Sequence, residues 1–178
     1  MKTYIALLRG INVSGKKIIP MAALRDLLLK NGLENVQTYI QSGNVVFQSS
    51  EDIKKTLETT IHNAIQSQFG FEVPVLIITP KELQYVFDKC PFPEEEKVNS
   101  YFMLPYNKPN ETLVEEVSKL SYPNETFTIT DNAIYFHSWV GYGKAKCSNN
   151  FFERKLKITA TARNYKTIVK LLSLSVDN

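Results

Sequence analysis

Val36-Gln-Thr-Tyr-Ile-Gln-Ser-Gly-Asn-Val-Val-Phe-Gln48 holds two short segments rich in β-forming residues, with Gln41-Ser-Gly43 between them. Glycine adopts positive φ at low cost, so this pattern predicts a β-hairpin that turns at residues 41–43. Upstream of the hairpin, Tyr4-Ile-Ala-Leu-Leu8 is an apolar run typical of a buried strand. The N-terminal half is therefore predicted to contain a sheet.

Two helices are predicted on either side of the hairpin. The first begins at Pro20 and ends at Gly32. The second carries apolar residues every four positions from Ile53 to Phe69. A further strand is predicted at residues 73–79. The order β-α-β-β-α-β indicates an α+β fold with a ferredoxin-like N-terminal domain.

A proline-rich acidic segment, Cys90-Pro-Phe-Pro-Glu-Glu-Glu96, marks the predicted domain boundary. We predict a ferredoxin-like domain at 1–90 and a smaller α+β domain at 91–178, with the order β-α-β-β followed by two helices. Strands one and four of the first domain are apolar on both faces, whereas ferredoxin-like helices cover only one face. The second domain is therefore expected to pack on the first sheet.

Composition indicates a folded cytoplasmic protein. Hydrophobic residues make up 43% of the chain and charged residues 22%, as in ordinary globular proteins. The isolated cysteines Cys90 and Cys147 suit a reducing compartment and indicate neither a disulfide framework nor a metal site. The N-terminal apolar run is too short for a signal peptide, and no run approaches the roughly 20 residues of a membrane helix. No cofactor is expected.

Two polar loops are predicted to meet at one edge of the N-terminal sheet. A right-handed crossover makes strands one and two parallel, with strand three antiparallel between them. Loop 9–17 and turn 41–44 then become neighbours, and their glycines let backbone N–H groups approach a ligand. The alternative is that the glycines only form turns while the asparagines cap the local backbone. The candidate ligand-binding side chains here are Arg9, Asn12, Lys16, Gln41, Ser42 and Asn44.

Loop 9–17 nearly matches a nucleotide-binding motif. Gly10-x-x-x-x-Gly15-Lys16 has the spacing of a P-loop and follows a strand. However, Lys17 replaces the Ser or Thr that would hold Mg²⁺, and Pro20 disfavours helical geometry where the P-loop helix should run. Nucleotide hydrolysis of this class is therefore not predicted, although Lys16 remains a candidate anion ligand.

A second candidate lies near the C-terminus, in Thr159-Ala-Thr-Ala-Arg-Asn-Tyr-Lys-Thr167. Asn164 is suited to cap the last helix, and Arg163 would add its guanidinium donors beside the free N–H groups of that helix. Such an arrangement suits a carboxylate or phosphate. The alternative is that Arg163 pairs with a structural carboxylate at the domain interface.

Charge is unevenly distributed along the chain. Residues 91–131 hold three basic and eight acidic side chains, whereas residues 144–170 hold eight basic and one acidic. The basic stretch, with Trp139, Tyr142 and Tyr165 as stacking groups, favours nucleic-acid binding as one alternative function. Equally, basic helices could face the acidic segment or only solvent.

Enzymatic activity is left undecided by the sequence, and no catalytic residue is assigned. Ser42 and Glu153 are the candidates for acyl or proton chemistry. Ser42 lacks the G-x-S-x-G elbow and has no nearby histidine in sequence. Glu153 shares a predicted helix face with Asn149.

Three separated motifs resemble the bacterial domain-of-unknown-function family 1697. They are Leu8-Arg-Gly-Ile-Asn-Val13 with Gly15-Lys16, Thr38-Tyr-Ile-Gln-Ser-Gly-Asn-Val-Val-Phe47, and Thr161-Ala-Arg-Asn-Tyr-Lys-Thr167, together with Lys146, Asn149 and Glu153. The resemblance spans essentially the whole chain. It implies a two-part α/β fold with a ferredoxin-like first half, and no established activity. Its signature positions are Arg9, Asn12, Gln41, Ser42, Asn44, Arg163, Asn164 and Thr167.

The best-supported function from sequence is binding of a small anionic or phosphate-bearing ligand at a site between the two domains. Charge would come from Arg9, Lys16 and Arg163. The polar side chains of the two N-terminal loops, with those of Asn164 and Thr167, would supply directional hydrogen bonds. The alternatives are an enzyme that acts on a small molecule at the same site and a nucleic-acid-binding protein.

Overall fold

The computed structural model describes residues 1–176. This part of the chain forms two four-stranded antiparallel sheets and seven α-helices, a mixed α+β fold. None of these helices is long and apolar enough to cross a membrane. The strands are β1 (Lys2–Leu8), β2 (Glu34–Tyr39), β3 (Asn44–Ser49), β4 (Val75–Ile78), β5 (Tyr101–Pro105), β6 (Glu125–Ile129), β7 (Ile134–Ser138) and β8 (Ala160–Asn164). The helices are α1 (Met21–Lys30), α2 (Lys54–Phe69), α3 (Pro80–Asp88), α4 (Glu94–Lys97), α5 (Glu111–Ser118), α6 (Asn149–Leu156) and α7 (Tyr165–Val176).

The chain divides into two compact units. The first contains residues 1–84 and the segment from Val169 onward, and the second contains residues 85–168. The predicted domains, 1–90 and 91–178, place the boundary six residues later and keep the C-terminal segment in the second domain. That division, and the packing of one predicted domain on the other, stay predictions.

In the N-terminal unit the strands follow the order β2-β3-β1-β4, and every neighbouring pair is antiparallel. The predicted place of the third strand, between the first and the second, is therefore confirmed. Asn44 at the start of β3 lies opposite Leu7 of β1 and Tyr39 of β2, and Leu8 lies opposite Val75 of β4. The loops at these strand ends therefore share one end of the sheet, called the N-terminal sheet end below.

The core of this unit follows from two repeats in the sequence, alternation along the strands and helical spacing along α2. Alternate β1 residues from Tyr4 to Leu8 pack with alternate residues of β3, because successive side chains of a strand point to opposite faces. Leu57, Ile61 and Ile65 of α2 are spaced at helical intervals and are fully or almost fully buried. Loop 9–20 also contributes to the core, through Ile11 and Ile19.

Helix α3 begins with the capping box that Thr79 and Glu82 form. The Thr79 backbone N–H donates to Glu82 Oε2 at 2.8 Å, and the Glu82 N–H donates to Thr79 Oγ1 at 3.2 Å. Each side chain therefore satisfies a backbone group that the first helical turn leaves without an intrahelical partner.

The second unit repeats the element order of the first. Its order is β5-α5-β6-β7-α6-β8, and its sheet order, β6-β7-β5-β8, places β5 where the first sheet has β1. The predicted order, β-α-β-β followed by two helices, is wrong because β8 lies between those helices and pairs with β5. The pattern did not indicate β8 because its buried side chains include Thr161 and Arg163 rather than an apolar run.

Candidate functional site

Loop 9–20 and turn 40–43 are joined at the N-terminal sheet end. The Leu8 backbone N–H donates to Gly43 O at 2.8 Å, and Asn12 Nδ2 donates to Gln41 O at 2.8 Å. The predicted meeting of the two loops is confirmed by these contacts. The Arg9 N–H also donates to Pro74 O at 3.0 Å, which brings the segment before β4 to the same place.

The Asn12 side chain connects the loops of this sheet end through three hydrogen bonds. Its Oδ1 accepts from the Ile19 N–H at 2.8 Å, while Nδ2 donates to Ile19 O at 3.0 Å as well as to Gln41 O. A side-chain amide has two donors and one acceptor oxygen, so the backbone occupies both of its ends. The alternative prediction that Asn12 caps the local backbone describes this geometry.

The turn before β3 is built from close packing and a second asparagine. Gly43 has φ +83°, and a Cβ at this position would lie 2.6 Å from Leu8 Cβ. Asn44 is fully buried, and its Nδ2 donates to Tyr39 O at 3.0 Å and to Ser42 Oγ at 2.9 Å. The predicted ligand-binding groups of Ser42 and Asn44 therefore contact each other within the hairpin.

The exposed part of loop 9–20 is a small hairpin, residues 12–17, called the Lys16 hairpin below. The Lys16 N–H donates to Val13 O at 2.9 Å, and the Asn12 N–H donates to Lys17 O at 3.1 Å. Ser14 and Gly15 at its turn have φ 51° and 72°, the two positive values of a type I′ turn. Helix α1 begins only at Met21, so no helix follows Gly15 as it would in a P-loop.

The Lys16 hairpin carries backbone N–H groups and cationic side chains at exposed positions. Positive φ recurs at Gly10, Asn12, Ser14, Gly15 and Lys17, so the backbone of this loop turns repeatedly. Turns of this kind can present backbone N–H groups to an anion. Val13 pairs with Lys16 across the hairpin as an antiparallel bridge. Within residues 1–176, the N–H groups of Ser14 and Gly15 at the turn donate to no protein acceptor. The side chains of Lys16 and Gln41 are exposed, and that of Arg9 is half-buried.

Lys17 ties the same hairpin to the segment before β4. Its Nζ donates to Glu72 O at 2.6 Å. From the sequence, Lys17 was noted only as a mismatch to the P-loop motif. No signal in the sequence identified its partner, because Glu72 contributes only a backbone carbonyl.

Arg163 and Asn164 lie at the end of β8 in the second unit. Arg163 is 7% exposed, and its Nη1 donates to Thr161 Oγ1 and to Ala162 O, both at 2.8 Å. Burial lowers the pKa of Arg163 to about 10, against an opposing electrostatic effect of Tyr106. Asn164 Oδ1 accepts from the Thr167 N–H at 2.9 Å, so the predicted cap of the last helix is confirmed.

Thr167 itself is buried, and Asn164 is exposed. Ligand binding by Arg163, Asn164 and Thr167, and their membership of one site with the N-terminal loops, stay predictions.

The aromatic groups considered for nucleic-acid stacking differ in accessibility. Trp139 is 58% exposed. Tyr142 is half-buried and stacks on Tyr101 with ring centroids 4.1 Å apart, and half-buried Tyr165 packs on Phe87 at 5.5 Å. Trp139 is the most exposed of these three candidates, and its ring also packs edge-on against His137 at 4.8 Å. The stacking surface that this alternative needs therefore has little support.

The candidates for catalysis have structural hydrogen bonds. Ser42 Oγ accepts from Asn44, and Glu153 Oε1 accepts from the Ala160 N–H at 2.9 Å. Asn149 Nδ2 donates to Ala160 O at 2.9 Å, so this predicted helix face holds the start of β8. No cluster of metal-binding side chains occurs among residues 1–176. These contacts give each side chain a role in the fold.

Cys147 behaves as a small buried residue. It is fully buried, and burial, followed by the hydrogen bond and charge of Glu125, raises its thiol pKa to about 12. The basic residues near Cys147 in the sequence therefore do not lower the pKa of this thiol.

Comparison with solved structures identifies a protein of the same fold. The conserved bacterial protein from Streptococcus pneumoniae is 24% identical, with a TM-score of 0.73 over 97% of this chain and 98% of that one. No match was found among curated proteins.

The family model for "Protein of unknown function (DUF1697)" matches residues 1–135, which include both N-terminal motifs. The stretches at 146–153 and 161–167 lie outside the matched residues. Since the match covers most of the chain, this protein belongs to the DUF1697 family, whose function is unknown.

Proposed function

We propose that this protein binds a small anionic or phosphate-bearing ligand at the N-terminal sheet end, on the Lys16 hairpin. The observation that carries the proposal is the open turn of this hairpin, where the N–H groups of Ser14 and Gly15 lack protein acceptors beside the exposed Lys16 side chain. Backbone N–H groups in a turn of positive φ, next to a cation, are a common means of holding an oxyanion.

Rigidity supports this assignment. Asn12, at one end of the hairpin, is bonded to Ile19 and Gln41, and Lys17, at the other end, donates from Nζ to Glu72 O. A loop that is already ordered loses less conformational entropy when a ligand binds. Asn12, Ser42 and Asn44 are therefore assigned to the scaffold that presents the hairpin.

The binding groups are a smaller set than the sequence indicated. We assign direct contact to Lys16 and to the backbone N–H groups of Ser14 and Gly15. Arg9 and Gln41, on the two loops that Asn12 joins, supply further charge and a further amide.

The fold assignment that accompanies this proposal is a ferredoxin-like N-terminal unit. It is supported by the element order β1-α1-β2-β3-α2-β4 and by the sheet order β2-β3-β1-β4. In such a unit the loops that follow β1 and β2 lie at the same end of the sheet, which is the location that the proposed site requires.

Isothermal titration calorimetry with inorganic phosphate tests the proposal. Lys16→Gln should weaken phosphate binding about fivefold, because an exposed ionic contact contributes up to about 1 kcal/mol. Lys30→Gln is the matched control, since Lys30 is also exposed but lies at the last turn of α1. Equal affinities for the native protein and Lys16→Gln, or no saturable binding to the native protein, would contradict the proposal.

A further inference from the structure

A cleft of about 780 Å³ lies in the second unit, between the loop after β5 and the end of α6. This place corresponds in topology to the N-terminal sheet end, because Pro105 at the end of β5 lies opposite Ala160 at the start of β8. In the first unit, Leu8 and Val75 occupy the matching positions. The two units therefore differ in what covers the same end of a similar sheet.

Loop length accounts for this difference. Twelve residues, 9–20, connect β1 to α1, whereas only five, 106–110, connect β5 to α5. The longer loop buries Ile11 and Ile19 and reaches the segment before β4 through Lys17. The shorter loop has no such hairpin, and the equivalent space remains open as the cleft.

The short loop is nevertheless held in place by charge. Lys108 Nζ lies 3.1 Å from Asp131 Oδ2 in the β6–β7 turn and 3.2 Å from Glu111 Oε1. The contact with Asp131 joins the loop after the first strand to the hairpin turn, as Asn12 does in the first unit. All three side chains are exposed, so these ion pairs hold this wall of the cleft only weakly.

The lining of the cleft combines apolar side chains with positive charge. Leu113, Leu156 and Ile158 supply the apolar part, and Arg154 and Lys157 supply cations. Within residues 1–176, neither of these two cations forms an ion pair. The carboxylate in the lining, Glu153, directs Oε1 to the Ala160 N–H.

We propose that this cleft binds a small organic anion, in which a phosphate or carboxylate is attached to a short apolar body. Arg154 and Lys157 hold the charged group, and the apolar body covers the half-buried Leu113 and Ile158, behind which Leu156 is buried. The volume lies within the range of about 300–1,000 Å³ that small-molecule sites occupy. The lining joins three apolar residues to seven polar or charged ones, so the cleft is more polar than most such sites and suits a ligand that carries charge. This site is separate from the Lys16 hairpin and does not rest on the function proposed for it.

The test is a methyl NMR titration of the full chain with four probes: phenyl phosphate, benzoate, phenol and inorganic phosphate. Phenyl phosphate, benzoate or both should shift the methyl signals of Leu113, Leu156 and Ile158 saturably. Phenol and inorganic phosphate should bind the cleft at least about tenfold more weakly than the better organic anion. Phenol lacks the charged group, and inorganic phosphate lacks the apolar body. Comparison of the two organic anions identifies the preferred charged group.

Variants distinguish a specific site from weak general attraction. Arg154→Gln combined with Lys157→Asn should weaken the better organic anion about tenfold or more, and Lys155→Gln should leave its affinity unchanged. Lys155 is the matched control because it is an exposed cation on the same helix but does not line the cleft. Asparagine is chosen at position 157 because the native backbone there is left-handed, with φ 53°.

Three results would overturn the proposal: no saturable shift with either organic anion, phenol binding as tightly as both of them, or equal loss of affinity in the Lys155→Gln control. If the double variant does not fold, Arg154→Gln alone gives the same comparison, since Arg154 is exposed. Lys16→Gln should not change this titration, which separates the two sites.

Discussion

Asn12 and Gln41 are 29 positions apart in the chain, and Asn12 Nδ2 donates to Gln41 O at 2.8 Å. This single contact joins the loop after β1 to the turn before β3. With the two hydrogen bonds between Asn12 and Ile19, it gives one side chain control over the shape of the Lys16 hairpin. The stability of the sheet end and its proposed binding function therefore depend on the same residue.

Asn12→Ala should lower the free energy of unfolding by about 4–5 kcal/mol, because it removes three hydrogen bonds of about 1 kcal/mol each and places alanine at φ 53°, which costs about 1–2 kcal/mol more. Chemical denaturation measures the change. Asn31→Ala is the control, because Asn31 is exposed and, within the described residues 1–176, its amide donates to Leu27 O alone, so the loss of unfolding free energy should be under about 1 kcal/mol. Similar losses of unfolding free energy in the two variants would show that the hydrogen bonds of Asn12 do not stabilise this sheet end.

Gly43→Ala should destabilise the protein more than Gly15→Ala does. Both glycines have positive φ, which costs an alanine about 1–2 kcal/mol, but the Cβ of residue 43 would also collide with Leu8. Overpacking adds about 1–3 kcal/mol at position 43, whereas the space around Gly15 is open. The difference in unfolding free energy between the two variants isolates the packing contribution, and a difference near zero would contradict it.

The capping box of α3 should make stability depend on pH. Burial raises the pKa of the Glu82 carboxyl, but hydrogen bonds from Lys54 and Thr79 outweigh burial and hold that pKa below its ordinary value. A lowered folded-state pKa means that the stabilisation is present above the unfolded-state pKa, about 4.3, and is lost as pH falls through the folded value.

The Glu82→Gln variant should therefore be less stable than the native protein at pH 7. This gap in stability between the two proteins should narrow below about pH 4. Thermal unfolding from pH 7 to pH 2 measures it, with Glu115→Gln, at an exposed residue of α5, as the control. A gap that stays constant over this range would exclude a titrating Glu82 as its cause.

Cys147 should resist thiol reagents in the folded protein. Its burial raises the thiol pKa to about 12, and the thiolate is the reactive species. In Cys90→Ser, reaction with a disulfide reagent at pH 8 should be slow until denaturant is added. Rapid labelling of the folded variant would show that the side chain is accessible.

The N-terminal fold was predictable because its signals are local. Ile53, Leu57, Ile61 and Ile65 recur at helical spacing, and Gln41-Ser-Gly43 separates two β-forming segments. Strand pairing then brings the loops together, so the location of the sheet end followed from topology. Strand β8 was missed because Thr161 and Arg163 are buried by virtue of their hydrogen bonds, and a hydrophobic pattern does not register such residues.

The roles of individual side chains were less predictable. Asn12 and Asn44 were identified as important positions, but whether an asparagine contacts a ligand or the backbone depends on the φ values of its neighbours. The cleft of the second unit was not predicted, because its lining comes from separate segments, residues 107–113 and 153–159, that only the tertiary fold brings together.

An amide NMR titration of the full chain with inorganic phosphate tests the central claim most directly. Anion binding on the Lys16 hairpin predicts saturable shifts of the Val13, Ser14, Gly15 and Lys16 amides, and their reduction in Lys16→Gln but not in Lys30→Gln. Amides of residues 13–16 that stay unchanged while phosphate shifts signals elsewhere, or a response that Lys16→Gln retains in full, would contradict the account.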